Sequence, residues 1–237
     1  MGGLRIAASF GITPNRLGFC GPQELEEQKI LRNYLYLGKN PAKARKIMSR
    51  FEGAYSYYLL IARKNKIKDP FDERVVSAYW IGNELLEKVD ASDLKKMVLS
   101  RFTKSGLLKK DEAMRRIDLI PKNAKPHHSF HVFILGTVTG KIDLNTIKLK
   151  DICRPGWGRI KKVDYKKSEV SVEYQPVTNL YKLGGIRIKK VDWDKKVIPE
   201  LKVGEWVAFH WNTIAKRLTK EEVRNIKKYT QITLISL

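Results

Sequence analysis

Leu201-Lys-Val-Gly-Glu-Trp-Val-Ala-Phe-His210-Trp-Asn-Thr-Ile-Ala-Lys-Arg-Leu218 is the stretch around which the chain can be ordered. Gly204 marks a turn, residues 205–211 read as a strand, and a polar linker follows. Beyond it Thr219 is placed as an N-cap with Glu222 three residues on, the spacing of a capping box that opens a helix. Along the strand, alternation sets Val207, Phe209 and Trp211 on one face and Trp206, Ala208 and His210 on the other. The first set reads as barrel interior. His210 is then expected outside the apolar core, near a strand end.

Working backwards, residues 158–164, 169–175 and 186–193 are short, β-branched and separated by turn signals such as Asp164-Tyr-Lys-Lys and Gly184-Gly185. Residues 129–138 also read as a strand. Several short strands followed by a late helix predict a small OB-like antiparallel β-barrel with a C-terminal helix.

Upstream of Pro121 the pattern is helical. Helices are predicted over residues 23–37, ended by Gly38, over 41–62, opened by Pro41, and over 72–89, 92–102 and 111–119. The stripe Ala44, Ile47, Met48, Phe51, Tyr55, Tyr58, Leu59 and Ala62 recurs at spacings of three and four, as a core-facing helix requires. The fold class is therefore α+β: a helical bundle over residues 1–128, then the barrel over 129–237, with the boundary between 121 and 145.

The net charge of +22 divides evenly about Gly140, +11 on each side, and much of it is Lys in adjacent pairs. A spread of this kind marks solvated surface. It leaves a nucleic acid or an acidic protein as partner classes. No apolar run reaches the roughly 18 residues of a membrane span. Residues 1–10 are read as the first structured segment and not as a signal peptide, and residues 13–22 as a loop. Two cysteines and no export signal point to the cytoplasm and against a Cys20–Cys153 disulfide.

Phosphate-loop and nucleophile-elbow motifs are absent from the sequence. Chemistry-bearing residues fall in three places. Pro126-His127-His128-Ser129-Phe130-His131 concentrates three of the four histidines. As an extended chain it would set His127 and His131 about 13 Å apart, too far to share one ion. It reads as structural or as a polar site at a domain junction. Cys20, in a tight loop before a helix, is a candidate reactive thiol or soft-metal ligand. Cys153 stands 57 residues before His210, just ahead of the first barrel strand, where it is expected to be loop-like and accessible. A thiolate with a neutral imidazole suits a soft or borderline iron centre.

From Cys153 to about Tyr229, about a third of the chain, these residues resemble the HypC/HupF family of [NiFe]-hydrogenase maturation chaperones. Cys153 is followed five positions later by Gly158-Arg159-Ile160, where the family has Gly-Lys-Val. Val203-Gly204-Glu205-Trp206-Val207-Ala208-Phe209-His210 matches the family's Val-Gly-Asp-x-Val-x-x-His, and Leu218 then leads into an acidic helix start. The resemblance implies that Cys153 and His210 hold iron with cyanide and carbon monoxide ligands. It also implies work with HypD-like proteins and the HypE/HypF cyanide pathway, and delivery to the hydrogenase large subunit precursor. The chain departs from the pattern in having 152 residues before Cys153, Pro155 two places early with Trp157 in its slot, and Trp211-Asn212 after the histidine. The N-terminal part resembles only an uncharacterised prokaryotic family.

A chaperone that carries metal ligands is thus expected, with Cys20, His127, His128 and His131 as further candidate ligands. Two other readings stand beside it. One is an OB-like barrel binding RNA or single-stranded DNA through Tyr165, Tyr174, Tyr181 and Trp193. The other is an enzyme using Cys20 with a histidine base.

Overall fold

The structure, a computed structural model, describes residues 1–179 and 181–237. It is an α+β fold whose helices precede a closed five-stranded barrel. The chain opens with α1 (Gly3–Arg16), so the expected loop over 13–22 begins later than its sequence suggests. Helix α2 (Leu25–Leu37) carries acids in its first turn and stops at Gly38, whose φ of +68° supplies the left-handed cap. The expected helix over 41–62 is interrupted at residues 49–51, giving α3 (Pro41–Met48) and α4 (Glu52–Lys64). The region 72–89 likewise divides into α5 (Glu73–Trp80) and a 3₁₀ turn over Glu84–Lys88. Helices α6 (Ala91–Met97) and α7 (Lys110–Asp118) fall close to where the periodicity places them.

Residues 129–138 are not a strand. They form α8 (His128–Phe130), continued by a π-helical turn over His131–Leu135. His127 caps this segment: its Nδ1 accepts from the Ser129 amide. Val132, Phe133, Ile134 and Leu135 are all buried, so the burial pattern is that of a helix enclosed on all sides. Helix α9 (Ile147–Cys153) then runs directly into the barrel.

The barrel strands are β1 (Gly156–Asp164), β2 (Glu169–Tyr174), β3 (Arg187–Asp192), β4 (Trp206–His210) and β5 (Thr213–Leu218). They close in the order β1-β2-β3-β5-β4. Four pairings are antiparallel and β3–β5 is parallel, so the barrel is mixed rather than wholly antiparallel. Strand β5 occupies what the sequence presents as a polar linker. Its hairpin with β4 turns through Trp211 and Asn212, at φ +49° and +57°, between the paired residues His210 and Thr213. Two consecutive left-handed residues twist the chain as a tight hairpin requires. Where β4 meets β1, Gly156 lies against the Phe209 ring; a Cβ there would come within 2.1 Å of it. Helix α10 (Lys220–Ile235) begins with the expected capping box of Thr219 and Glu222.

Helix α1 packs on both β4 and β5. Ile6 and Phe10 therefore share one apolar core with Val207, Phe209 and Ile214. Burying a side chain the size of Phe10 contributes roughly 1.5–3 kcal/mol. The same packing covers the outer face of β4 and turns the seam between helices and barrel into an enclosed space.

Candidate metal centre

His210 lies at that seam. It does sit on the face of β4 opposite Val207 and Phe209, but it is buried, at 3% exposure, and not outside the core. Its Nδ1–H donates to the Phe10 carbonyl at 2.7 Å. A carbonyl only accepts, so the proton is on Nδ1 and Nε2 carries a bare lone pair. That Nε2 is buried and has no hydrogen-bond partner among the described residues.

Cys153 ends α9 and is buried, not loop-like and accessible. Its ligand atom, that of His210 and that of His128 all lie within 4.8 Å of one another. Residues 25 and 57 positions from Cys153 thus meet it through three different elements: α8, α9 and β4. Of the histidine block only His128 joins the cluster. The helical turn moves His131 to its flank, with the two rings stacked at 5.7 Å and 15°. It moves His127 away, onto Tyr229.

His128 is held at both nitrogens. Nδ1 pairs with the Tyr79 hydroxyl at 2.7 Å and Nε2 with the Cys153 carbonyl at 3.1 Å. The carbonyl fixes the proton on Nε2, with Tyr79 donating to Nδ1. A phenol both donates and accepts, so one proton shift frees Nε2 while the Tyr79 contact is kept. Trp80 walls the cluster, 4.4 Å from the His128 ring and 5.1 Å from that of His210, with Phe10 stacked behind it at 4.6 Å.

Electrostatics follow from enclosure. Burial pushes His210 down to about 4 and His128 well below the usual imidazole range, the latter aided by its histidine neighbours. Both are neutral near pH 7, the form that ligates a metal. Burial also pushes the Cys153 thiol well above its ordinary value, a rise that Cys20 adds to and the Trp211 indole N–H opposes. That N–H has no partner meeting hydrogen-bond geometry among the described residues. Trp211 is not in the barrel interior: the left-handed turn swings it onto Phe19, at 4.7 Å, in a second apolar cluster that includes Cys153.

A cavity of about 200 Å³ adjoins the cluster and is lined by Cys20, His128, His131, Cys153 and His210 among others. Cys20 lies outside the three-residue group. Its thiol is not activated by a helix terminus: α2 starts five residues later, and burial pushes it up to about 11 against the partial relief of Lys141. Both cysteines are free thiols.

The donor set of one thiol and two imidazoles fits a borderline metal ion, which Cys153, His128 and His210 would hold. The bare, buried Nε2 of His210 is the observation that makes the fit specific. The sequence reading missed Phe10, Tyr79 and Trp80 as members of this site. Tyr79 was legible only as core, although a buried phenol calls for a polar partner. Of the aromatics proposed for base stacking, Trp193 is buried and its indole donates to the Ile198 carbonyl, while Tyr165 and Tyr181 are exposed.

No helix among the described residues is long and apolar enough to cross a membrane. No curated protein and no solved structure matches the chain. The model of one family matches residues 1–237, its whole length, and the chain belongs to that family, described as Family of unknown function (DUF6390).

Proposed function

We propose that the protein is a cytoplasmic metallocentre-assembly factor with a HypC-like mode of action. Its barrel we read as OB-like, since strand order β1-β2-β3-β5-β4 with one parallel closure and a following helix is a Greek-key arrangement of that kind. The cargo is an iron group with cyanide and carbon monoxide ligands. HypD-like maturation proteins are the partners on one side and the hydrogenase large subunit precursor on the other.

The observation that carries the reading is the meeting of Cys153 with His210. These two positions come from the sequence resemblance, and their ligand atoms lie within 4.8 Å of each other and of His128. Cys153 would supply the thiolate and His210 Nε2 a neutral nitrogen. His128 would supply a second nitrogen after the Tyr79-supported proton shift. Phe10 holds the His210 ring in place and fixes its tautomer, as outer hydrogen bonds do at metal sites. Packing by α1 and Trp80 sets these donors in largely apolar surroundings, which suits a neutral diatomic ligand.

The test is anaerobic purification from a host carrying hydrogenase maturation genes, followed by infrared spectroscopy between the amide and thiol bands. Cyanide and carbon monoxide bands that vanish in Cys153→Ala and His210→Ala are expected. Iron-loaded protein without such bands, unaffected by either substitution, would sink the reading.

A further inference from the structure

We infer that His131 is the hydrogen-bond donor for a small anion, of the cyanide or azide class, bound in the cavity beside the Cys153–His210–His128 cluster. The inference rests on the metal-holding reading above and adds to it a residue that recognises such an anion.

The tautomer of His131 follows from Tyr57. That hydroxyl belongs to a fully buried residue packed among the rings of Tyr79, Phe102 and Phe130. Its hydrogen-bond partner among the described residues is His131 Nδ1, at 3.2 Å. A buried phenol that gives up its proton to no acceptor is costly, so Tyr57 donates and Nδ1 accepts. A neutral imidazole then carries its proton on Nε2.

That Nε2–H makes no hydrogen bond to protein among the described residues, and His131 lines the cavity shared with the cluster. It lies beside Gly53, where an added Cβ would stand 3.7 Å from Cε1 and 3.8 Å from Nε2, in ordinary contact with the ring, so the missing side chain leaves a methyl-sized space there. Parallel stacking on His128 at 5.7 Å sets the donor on the flank of the cluster.

A second observation points to a ligand in the same space. Thr137 also lines the cavity, and its hydroxyl is buried with no hydrogen-bond partner among the described residues. Buried polar atoms left unpaired cost about 1–3 kcal/mol each. A donor lining a largely apolar cavity, with an unpaired hydroxyl in the wall behind it, is the usual furnishing of a small-ligand pocket, apolar walls giving room and a few polar groups giving selectivity. At the exposed rim of the cavity Arg50 and Lys141 outnumber Glu52, so its polar groups favour a ligand rich in lone pairs. A divalent ion on one thiolate and two neutral imidazoles retains net positive charge, which selects an anion. A volume of about 200 Å³ gives room for a small ligand.

The experiment uses the full chain loaded with cobalt(II) and titrated with sodium azide, then with potassium cyanide, followed by visible absorption and infrared stretching bands. His131→Phe is expected to weaken azide binding at least about tenfold, the loss of one hydrogen bond to a charged group, with cobalt affinity unchanged. His131→Gln, which keeps a donor, is expected to recover most of it. Tyr57→Phe, which releases the tautomer, is expected to fall between and to shift the azide stretch. Equal azide affinity in wild type and His131→Phe, or cobalt-loaded wild type that binds neither anion, would overturn the inference while leaving the metal site standing. Wild-type protein that takes up no cobalt would overturn both.

Discussion

Phe10 and His210, 200 residues apart, are joined by a 2.7 Å hydrogen bond from an imidazole N–H to a main-chain carbonyl. The first helix thereby sets the tautomer of a side chain on the fourth strand. Removing that imidazole leaves the Phe10 carbonyl buried without its donor and opens a void beside Trp80. His210→Ala is expected to cost about 1–3 kcal/mol in stability, seen as a lower denaturant midpoint with unchanged slope. Nitrogen NMR of the metal-free protein should show the proton on Nδ1; a proton on Nε2 would contradict the assignment.

Acid should unfold this protein early. Burial holds His127 at about 3, His131 and His210 at about 4, and His128 well below its ordinary value of 6.5. Each histidine therefore binds a proton more readily unfolded than folded. The stability so contributed is complete above the unfolded value and falls as pH drops from about 6.5 towards 4. Each histidine accounts for about 1.4 kcal/mol per pH unit at its steepest. Denaturant midpoints at pH 7.5, 6 and 5 should decline with increasing slope. A flat profile across that range would show that the imidazoles are solvated.

Asp151 and Arg154 form a buried ion pair at 2.8 Å just where α9 delivers Cys153 to the site. Asp151 also accepts from the Val177 amide at 3.0 Å, and Arg154 reaches the Gln175 carbonyl at 2.7 Å while lying 5.0 Å from the Trp157 ring. The pair thus ties the end of α9 to the barrel. Asp151→Ala strands a buried guanidinium and is expected to cost about 3–5 kcal/mol. Chemical denaturation measures this, and a loss below about 1 kcal/mol would show that water reaches Arg154.

Trp211→Phe keeps the packing on Phe19 and removes only the indole N–H near the Cys153 sulfur. Stability should change little, by less than about 1.5 kcal/mol. The thiolate-to-metal absorption of cobalt-loaded protein should shift in energy, because outer-shell donors tune a ligand's basicity. An unchanged band would place the indole outside the thiolate's influence.

Local signals carried most of the fold. The Thr219 and Glu222 capping box and the Gly38 stop act within a few residues, and each lies where the chain adopts the expected element, whereas the stripe through Tyr58 runs across a break at residues 49–51. What failed to show was tertiary. Strand β5 is legible only once Trp211 and Asn212 are known to take left-handed backbone, which for tryptophan no propensity announces. Residues 131–135 alternate little and are wholly apolar after the histidine, a pattern that suits a buried helix and a buried strand alike. Strand parity put His210 on the correct face of β4. It could not reveal that α1 would close over that face. His128 was indistinguishable from His127 and His131 until the helical turn pointed the three in different directions.

The central claim, that Cys153 and His210 jointly hold a metal ion, is tested most directly by anaerobic cobalt(II) titration of the full chain. A single tight site with an intense thiolate-to-cobalt band is expected. Cys153→Ser should abolish the band, and His210→Ala should weaken cobalt binding at least about tenfold, as the loss of about 1.4 kcal/mol or more of ligand energy requires. Titration without a thiolate band in the wild type, or a band that survives Cys153→Ser, would contradict it.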